Sequence, residues 1–297
     1  MKCDLCPRKC LVDRKKGEKG ICGQTENLKV ARAALHFWEE PCISGDAGSG
    51  AVFFSGCPLH CVFCQNENIA NGTVGKEISV ERLAEIFLEL QEKGANNINL
   101  VTPGHFVPQI TKALDLAKQE GLKLPIVYNT SSYETVETIK RLEGYVDIYL
   151  PDFKYMSPVL SKKYSHAPDY AEVAKAAIAE MVRQTEKAVF VNGDEDNLIL
   201  SGTIVRHLTL PGCMADSMQI LKYLHETYGD MIYISIMNQF TPLSNLEKYP
   251  ELNRRITDEE YETLVDYAIE IGIENGFIQE GDTAEESFIP AFDCEGV

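Results

Sequence analysis

From residue 51 onward, short β-branched or apolar runs alternate with longer amphipathic stretches, a pattern satisfied by a parallel sheet covered with helices. The strand-like runs fall at 51–55, 98–101, 126–129, 146–150, 203–210 and 231–237. Between and after them, helical spacing marks 79–93, 107–119, 133–142, 170–185, 216–227 and 258–271. In the first of these, Leu83, Ile86, Phe87 and Leu90 share one face behind a Ser79 start signal. The runs at 188–191 and 198–200, around a turn at 193–197, predict a hairpin-like excursion. Six βα units suit a partial (β/α)6 TIM-like barrel, because a closed one needs eight. The expected organisation is a small Cys-rich N-terminal appendage, a metal-binding segment over 1–45. A partial barrel with a C-terminal extension follows over 46–297.

With 297 residues, 44% of them hydrophobic, the chain has ample material for a continuous core. Its formal charge of −17 disfavours nucleic acid and anionic membrane surfaces as partners. No apolar run reaches the ~18 residues of a membrane span, and the N-terminal residues lack the apolar stretch of a signal peptide. A cytoplasmic location is therefore expected, where ten cysteines point to metal or catalysis before disulfides.

Seven of those cysteines form two tight groups, while Cys42, Cys213 and Cys294 stand alone. Cys57, Cys61 and Cys64 lie on the loop after the first strand, at the barrel mouth where active sites of such folds gather. Three thiolates leave one iron of a 4Fe-4S cubane without a protein ligand, open to a cofactor or substrate. A structural zinc site is the competing reading, and it would need His60 or a distant residue as fourth ligand. Cys3, Cys6, Cys10 and Cys22 make a complete four-thiolate set, fit for a second iron-sulfur cluster or zinc. About thirty residues bury little core, so a metal would supply folding free energy there.

The Cys-x3-Cys-x2-Cys spacing, with Phe63 before Cys64 on this loop, resembles the radical S-adenosylmethionine (SAM) superfamily. The resemblance implies that the open iron chelates the amino and carboxylate groups of SAM. One electron from the reduced cluster then splits SAM into methionine and a hydrogen-abstracting 5′-deoxyadenosyl radical. Within the superfamily the chain resembles activating enzymes of pyruvate formate-lyase, and more closely a branch of iron-sulfur proteins related to them. Several stretches carry that likeness: Cys3-x2-Cys6-Pro7-Arg8-x-Cys10, Glu39-Glu40-Pro41-x-Ile43-Ser44-Gly45, Gly48-Ser49-Gly50, Cys64-Gln65-Asn66, Thr102-Pro103-Gly104-His105 and Ile289-Pro290-x-Phe292-Asp293.

Carried over by position, the resemblance puts Thr102, Pro103, Gly104 and His105 where backbone carbonyls receive the SAM amino group. Asn129 and Ser131 fall in a stretch that contacts SAM and, in relatives, helps hold a monovalent cation. Asp152 and Lys154, two apart and so on one face of a strand, correspond to a pair near SAM and the incoming substrate, with Lys154 in a catalytic role. Arg206 matches a residue whose guanidinium fork pairs with the SAM carboxylate.

Bland readings stand beside these. Asp152–Lys154 reads as a strand-end ion pair, His105 as a capping or core histidine, Arg206 as a structural ion-pair partner, and Glu39–Glu40 as a solvated pair or, from their place shortly before the first strand, as a substrate or SAM contact. Asn238 and Gln239 sit at the mouth as adenine or substrate contacts, or as turn formers. The expected function is a radical SAM oxidoreductase, fed by a reductant such as flavodoxin or ferredoxin and activating a glycyl radical protein. Radical modification of a small molecule or peptide, or a non-catalytic iron-sulfur electron carrier, are the alternatives.

Overall fold

The computed structural model describes residues 2–194, 197–243, 246–279 and 290–297. Its strands are β1 (Leu28–His36), β2 (Ser49–Phe54), β3 (Lys76–Ile78), β4 (Ile98–Val101), β5 (Ile126–Thr130), β6 (Ile148–Pro151), β7 (Val189–Phe190), β8 (Ile199–Leu208), β9 (Tyr233–Met237) and β10 (Gly276–Ile278). They pair in the order β10-β9-β8-β6-β5-β4-β2-β1-β3, with β7 added alongside β8. The six expected strands are β2, β4, β5, β6, β8 and β9, which pair parallel with one another. The sheet does not close on itself, which makes it the partial barrel anticipated from six units.

Strands buried on both faces read as continuous apolar runs, and β2, β4, β5, β6 and β9 are buried along their whole length. The helix Val80–Glu92 covers them with Leu83, Ile86, Phe87 and Leu90, its first turn capped by the Ser79 hydroxyl accepting from Arg82 N. Each such large side chain contributes about 1.5–3 kcal/mol when fully buried.

Three strands were not legible. The β1 segment is alanine-rich, which favours neither strand nor period, and its form is imposed by antiparallel pairing with β2 and β3. The sheet therefore reaches back into the 1–45 stretch, to Leu28. β3 and β10 are too short to show a period; β10 adds parallel to β9. The expected hairpin exists as β7 against Ser201 and Ile199, but its second run is fused with the barrel strand into one long β8. Residues 195 and 196 of its turn, like Ile289 of the tail motif, lie outside the described residues. The helix expected over 133–142 shortens to Val136–Lys140, because Tyr133 and Glu134 are buried in the turn before it.

Residues 2–27 have little regular structure beyond the 3₁₀ turn Arg14–Lys16, and they are held to the barrel by side chains gripping backbone carbonyls. Arg8 Nε donates to Pro58 O at 2.8 Å and its Nη2 to Ser165 O at 2.9 Å. Arg14 Nη1 donates to His105 O at 2.6 Å, and Thr138 Oγ1 to Leu5 O at 2.7 Å. Gly56 sits at φ +91° where an added Cβ would meet the Cys22 carbonyl and Gln24, so the segment packs on bare backbone there. At the far end of the chain, Phe292 packs edge-on against Phe53 of β2 at 5.4 Å.

Two predictions follow from this packing. Gly56→Ala combines left-handed strain with a collision, and should cost about 1–3 kcal/mol in denaturant unfolding; an unshifted midpoint would contradict the contact. Buried Glu134 accepts from Thr130 Oγ1 at 2.9 Å and Tyr128 OH at 3.3 Å, and burial, against those two donors, pushes its pKa from 4.5 to about 7. The unfolded carboxyl loses its proton above about 4.5 and the folded one only above about 7. Stability should therefore fall as pH rises through that window, by up to about 3 kcal/mol, and level off above it. Glu134→Gln should flatten that slope in unfolding measured from pH 4.5 to 7.5.

Candidate functional site

The chain leaves β2 at Phe54 and turns through Ser55 and Gly56 into the cysteine loop, folded by Cys64 N donating to Cys61 O and Val62 N to Tyr164 O. Cys57, Cys61 and Cys64 all line one cavity of about 280 Å³ at the C-terminal ends of the parallel strands. Phe63 anchors the loop from beneath, edge-on to Phe240 at 5.9 Å. His60 takes φ +51°, and its Nε2 lies 2.8 Å from Ile21 O, outside the cavity lining. The sequence offered it as a fourth zinc ligand, and the structure commits its ring elsewhere.

Burial pushes the Cys57 thiol up to about 11 and Cys64 up to about 12, and raises Cys61 as well, with Lys154 pulling each the other way. Thiols in such surroundings ionise when a bound cation makes them do so. The donor set therefore fits a 4Fe-4S cluster held by three thiolates, since the two lining carboxylates, Glu39 and Asp152, are already paired with cations. Among the described residues no three Cys, His, Asp or Glu side chains form a ready single-ion site.

Opposite the thiols lies a buried charge network. Arg206 on β8 donates from Nε to Asp152 Oδ1 at 3.0 Å, from Nη1 to Glu39 Oε2 at 2.9 Å and from Nη2 to Asn129 Oδ1 at 2.7 Å. Lys154 Nζ donates to Asp152 Oδ2 at 2.6 Å. Glu39 Oε1 accepts from Asn99 at 3.0 Å and Asn129 at 3.1 Å. Burial alone would raise the Asp152 carboxyl, but Lys154 and Arg206 hold it below its usual range. Burial likewise opposes the charge on Arg206 and Lys154, and the neighbouring acids outweigh it in both. Three of the five Arg206 N–H donors are engaged in these bonds, so the fork can still take a further acceptor.

Glu39 and Glu40, expected as a solvated pair, are not solvated. Glu39 pairs with Arg206, while Glu40 is buried with one carboxylate oxygen lacking a hydrogen-bond partner among the described residues. Burial raises the Glu40 carboxyl, with Arg206 opposing. The cause is β1, which brings the turn after His36 over the strand ends.

Of the other residues singled out, Thr102, Asn129, Ser131, Asp152, Lys154 and Arg206 line the cavity together. Pro103, Gly104 and His105 do not. Pro103 O accepts from Phe106 N, Gly104 packs on the Glu134 carboxylate, and His105 is buried with Nε2 2.7 Å from Ser55 O, burial taking its pKa down to about 3. Thr102 holds φ +56°, rare for a β-branched residue and typical of strain kept at working sites. Gln239 lines the cavity, its carbonyl accepting from Gln65 Nε2 at 3.1 Å; Asn238 does not line it.

Sequence reasoning missed Tyr170, whose hydroxyl takes Lys154 N and reaches Ser131 O and Asp152 O, knitting two strand ends. It lies in a helix far along the chain, and no local signal marks it. Trp38 was also missed, although it stands beside the Glu39-Glu40-Pro41 motif. It lines both the cysteine cavity and an outer pocket of about 790 Å³, where Phe37 and Trp38 are 49% and 59% exposed.

The N-terminal cysteines also come together. The sulfurs of Cys10 and Cys22 both flank Gly20, at 3.3 and 3.4 Å from where its Cβ would be. Burial pushes Cys6 up to about 12 and raises Cys22, with the neighbouring thiols adding to both shifts.

Residues 51–197 match the family model described as the radical SAM superfamily. An uncharacterized protein of Methanocaldococcus jannaschii, MJ0674, is 27% identical over 276 residues, covering 90% of this chain and 74% of that one. SuiB of Streptococcus suis, solved bound to S-adenosylmethionine, superposes with a TM-score of 0.51 at 13% identity, over 80% of this chain and 51% of SuiB. HydG, a maturase of the FeFe-hydrogenase, gives 0.51 at 15% identity, over 78% of this chain and 52% of HydG. The chain spans about half the length of these two structures, and at such identities the likeness is one of fold. With the family match over residues 51–197, the open parallel sheet and the cysteine loop at its mouth, the chain carries a radical SAM domain, that of a superfamily of enzymes of radical chemistry using a 4Fe-4S cluster and SAM.

Proposed function

We propose that Cys57, Cys61 and Cys64 hold the 4Fe-4S cluster, and that the chain is a radical SAM oxidoreductase of the activating-enzyme type, abstracting hydrogen from a glycine of a partner protein. The observation that carries the reading is the gathering of three thiols in the lining of one cavity whose two carboxylates are already paired with cations, facing a buried cationic fork. When bound, the cluster supplies one electron for cleavage of SAM to methionine and, after hydrogen abstraction, 5′-deoxyadenosine. The chain supplies orientation. Arg206 offers its remaining donors to the SAM carboxylate, and the backbone at Thr102 offers a carbonyl to the amino group. Asp152 and Lys154 stand at the substrate side, and the strained turn at Thr102 keeps those groups fixed.

The outer pocket, opening past Phe37 and Trp38, supports a polypeptide substrate, since a loop could enter there while SAM fills the inner cavity. Turnover of a metabolite alone would favour the small-molecule reading instead. The reductant is proposed to be a flavodoxin or ferredoxin. The N-terminal cysteines are proposed to hold a second metal centre, iron-sulfur or zinc, which would supply folding free energy to residues 2–27.

Anaerobically reconstituted protein should cleave SAM, and Cys61→Ala should lose more than the roughly 10–100-fold that loss of an outer-shell partner costs. Cleavage by Cys61→Ala at the parent rate would overturn the ligand assignment. A glycyl radical signal on a copurifying protein, dependent on SAM, would identify the partner. Arg206→Met should lower stability by about 3–5 kcal/mol because it strands the buried Glu39 carboxylate and leaves Asp152 to Lys154 alone. Arg206→Lys should fold better yet raise KM for SAM, as an ammonium cannot reproduce the fork. In a Cys57, Cys61 and Cys64 triple Ala variant, the iron and zinc that remain should report the metal at Cys3, Cys6, Cys10 and Cys22.

A further inference from the structure

A second set of contacts reaches the cysteine loop at Cys61. Ser165 ends the helix Pro158–Ser165, is fully buried, and donates from Oγ to Cys61 Sγ at 3.1 Å. Tyr155, also buried, has its hydroxyl 2.8 Å from the same Ser165 Oγ. A serine hydroxyl has one hydrogen, and a metal-bound thiolate has none to give. With the Ser165 hydrogen committed to Cys61, the Tyr155 hydroxyl must be the donor to Ser165, so the chain has one polarity: Tyr155 to Ser165 to Cys61. Both ends are fixed in place. The Arg8 guanidinium bonds Pro58 O in the cysteine loop and Ser165 O at the helix end, and His166 closes that helix in the left-handed conformation.

We propose that Ser165, polarised by Tyr155, is a positioning residue that donates to the Cys61 thiolate and raises the reduction potential of the cluster this thiolate holds. The inference rests on the reading of Cys61 as a cluster ligand. On reduction the cluster takes one electron from a one-electron donor and goes from 2+ to 1+, which puts more negative charge on its thiolates. A fixed donor in a buried, water-poor position favours that added charge, and hydrogen bonds to cluster sulfurs are among the levers that set such potentials. The hydroxyl thereby eases delivery of the electron on which SAM cleavage depends.

The test is an electron paramagnetic resonance redox titration of the full-length, reconstituted protein without SAM, with iron counted in every sample. The signal belonging to this cluster is the one missing from Cys61→Ala. Ser165→Ala should keep its iron and shift the midpoint downward, with on the order of tenfold less reduced cluster at a fixed solution potential, about 59 mV for one electron. Tyr155→Phe should move the midpoint the same way by less, and Ser165→Thr should bring it back toward the parent. Should Ser165→Ala lose iron, Tyr155→Phe decides. An iron-replete Ser165→Ala or Tyr155→Phe with the parent midpoint overturns the role of the hydroxyl chain while leaving the ligand reading intact. A Cys61→Ala protein that retains every iron-sulfur signal overturns both.

Discussion

Three carboxylates and two cations meet beneath the cavity, and they are affordable only together. Arg206 on β8 ties Asp152 after β6, Asn129 on β5 and Glu39 after β1, so one guanidinium joins strand ends that the open sheet would otherwise leave free to splay. A closed barrel locks its strands by pairing the first with the last; this sheet has no such closure, and a buried ionic tie does part of that work at the mouth. Lys154 and Arg206 hold Asp152 ionised, while burial works against the charge on Glu40, with Arg206 opposing.

The segment before the barrel packs against the outside of the cysteine loop. It touches the cysteine loop at Pro58 through Arg8, at His60 through Ile21 and at Gly56 through the Cys22 carbonyl. It also reaches the turn after β4, where Arg14 holds the His105 carbonyl. The N-terminal cysteines and the central triad are thus parts of one packed unit.

Much of the site could be read locally because its chemistry is local. Cys57, Cys61 and Cys64 lie within one loop, and Asp152 and Lys154 stand two apart just past the end of β6. Arg206 was placed by resemblance, and its bland reading as an ion-pair partner is visible in the structure alongside its spare donors. Glu39 went the other way: adjacent carboxylates on a sequence look solvated, and only the antiparallel β1 puts them under the cavity. Tyr155, Ser165 and Tyr170 left no trace, since a hydroxyl on an amphipathic stretch has no signature until its partner is known.

The order of apolar runs and their period determined the class of fold, because burial on both faces of a parallel strand demands that pattern whatever the partners are. Cysteine spacing likewise determined that three thiols share one short loop. Tertiary structure alone decided which charges pair, which carbonyls are already taken at Pro103 and His105, and where the N-terminal segment rests. Those outcomes depend on contacts between residues as far apart as Glu39 and Arg206, whose meeting is set by sheet order and twist rather than by any neighbouring residue.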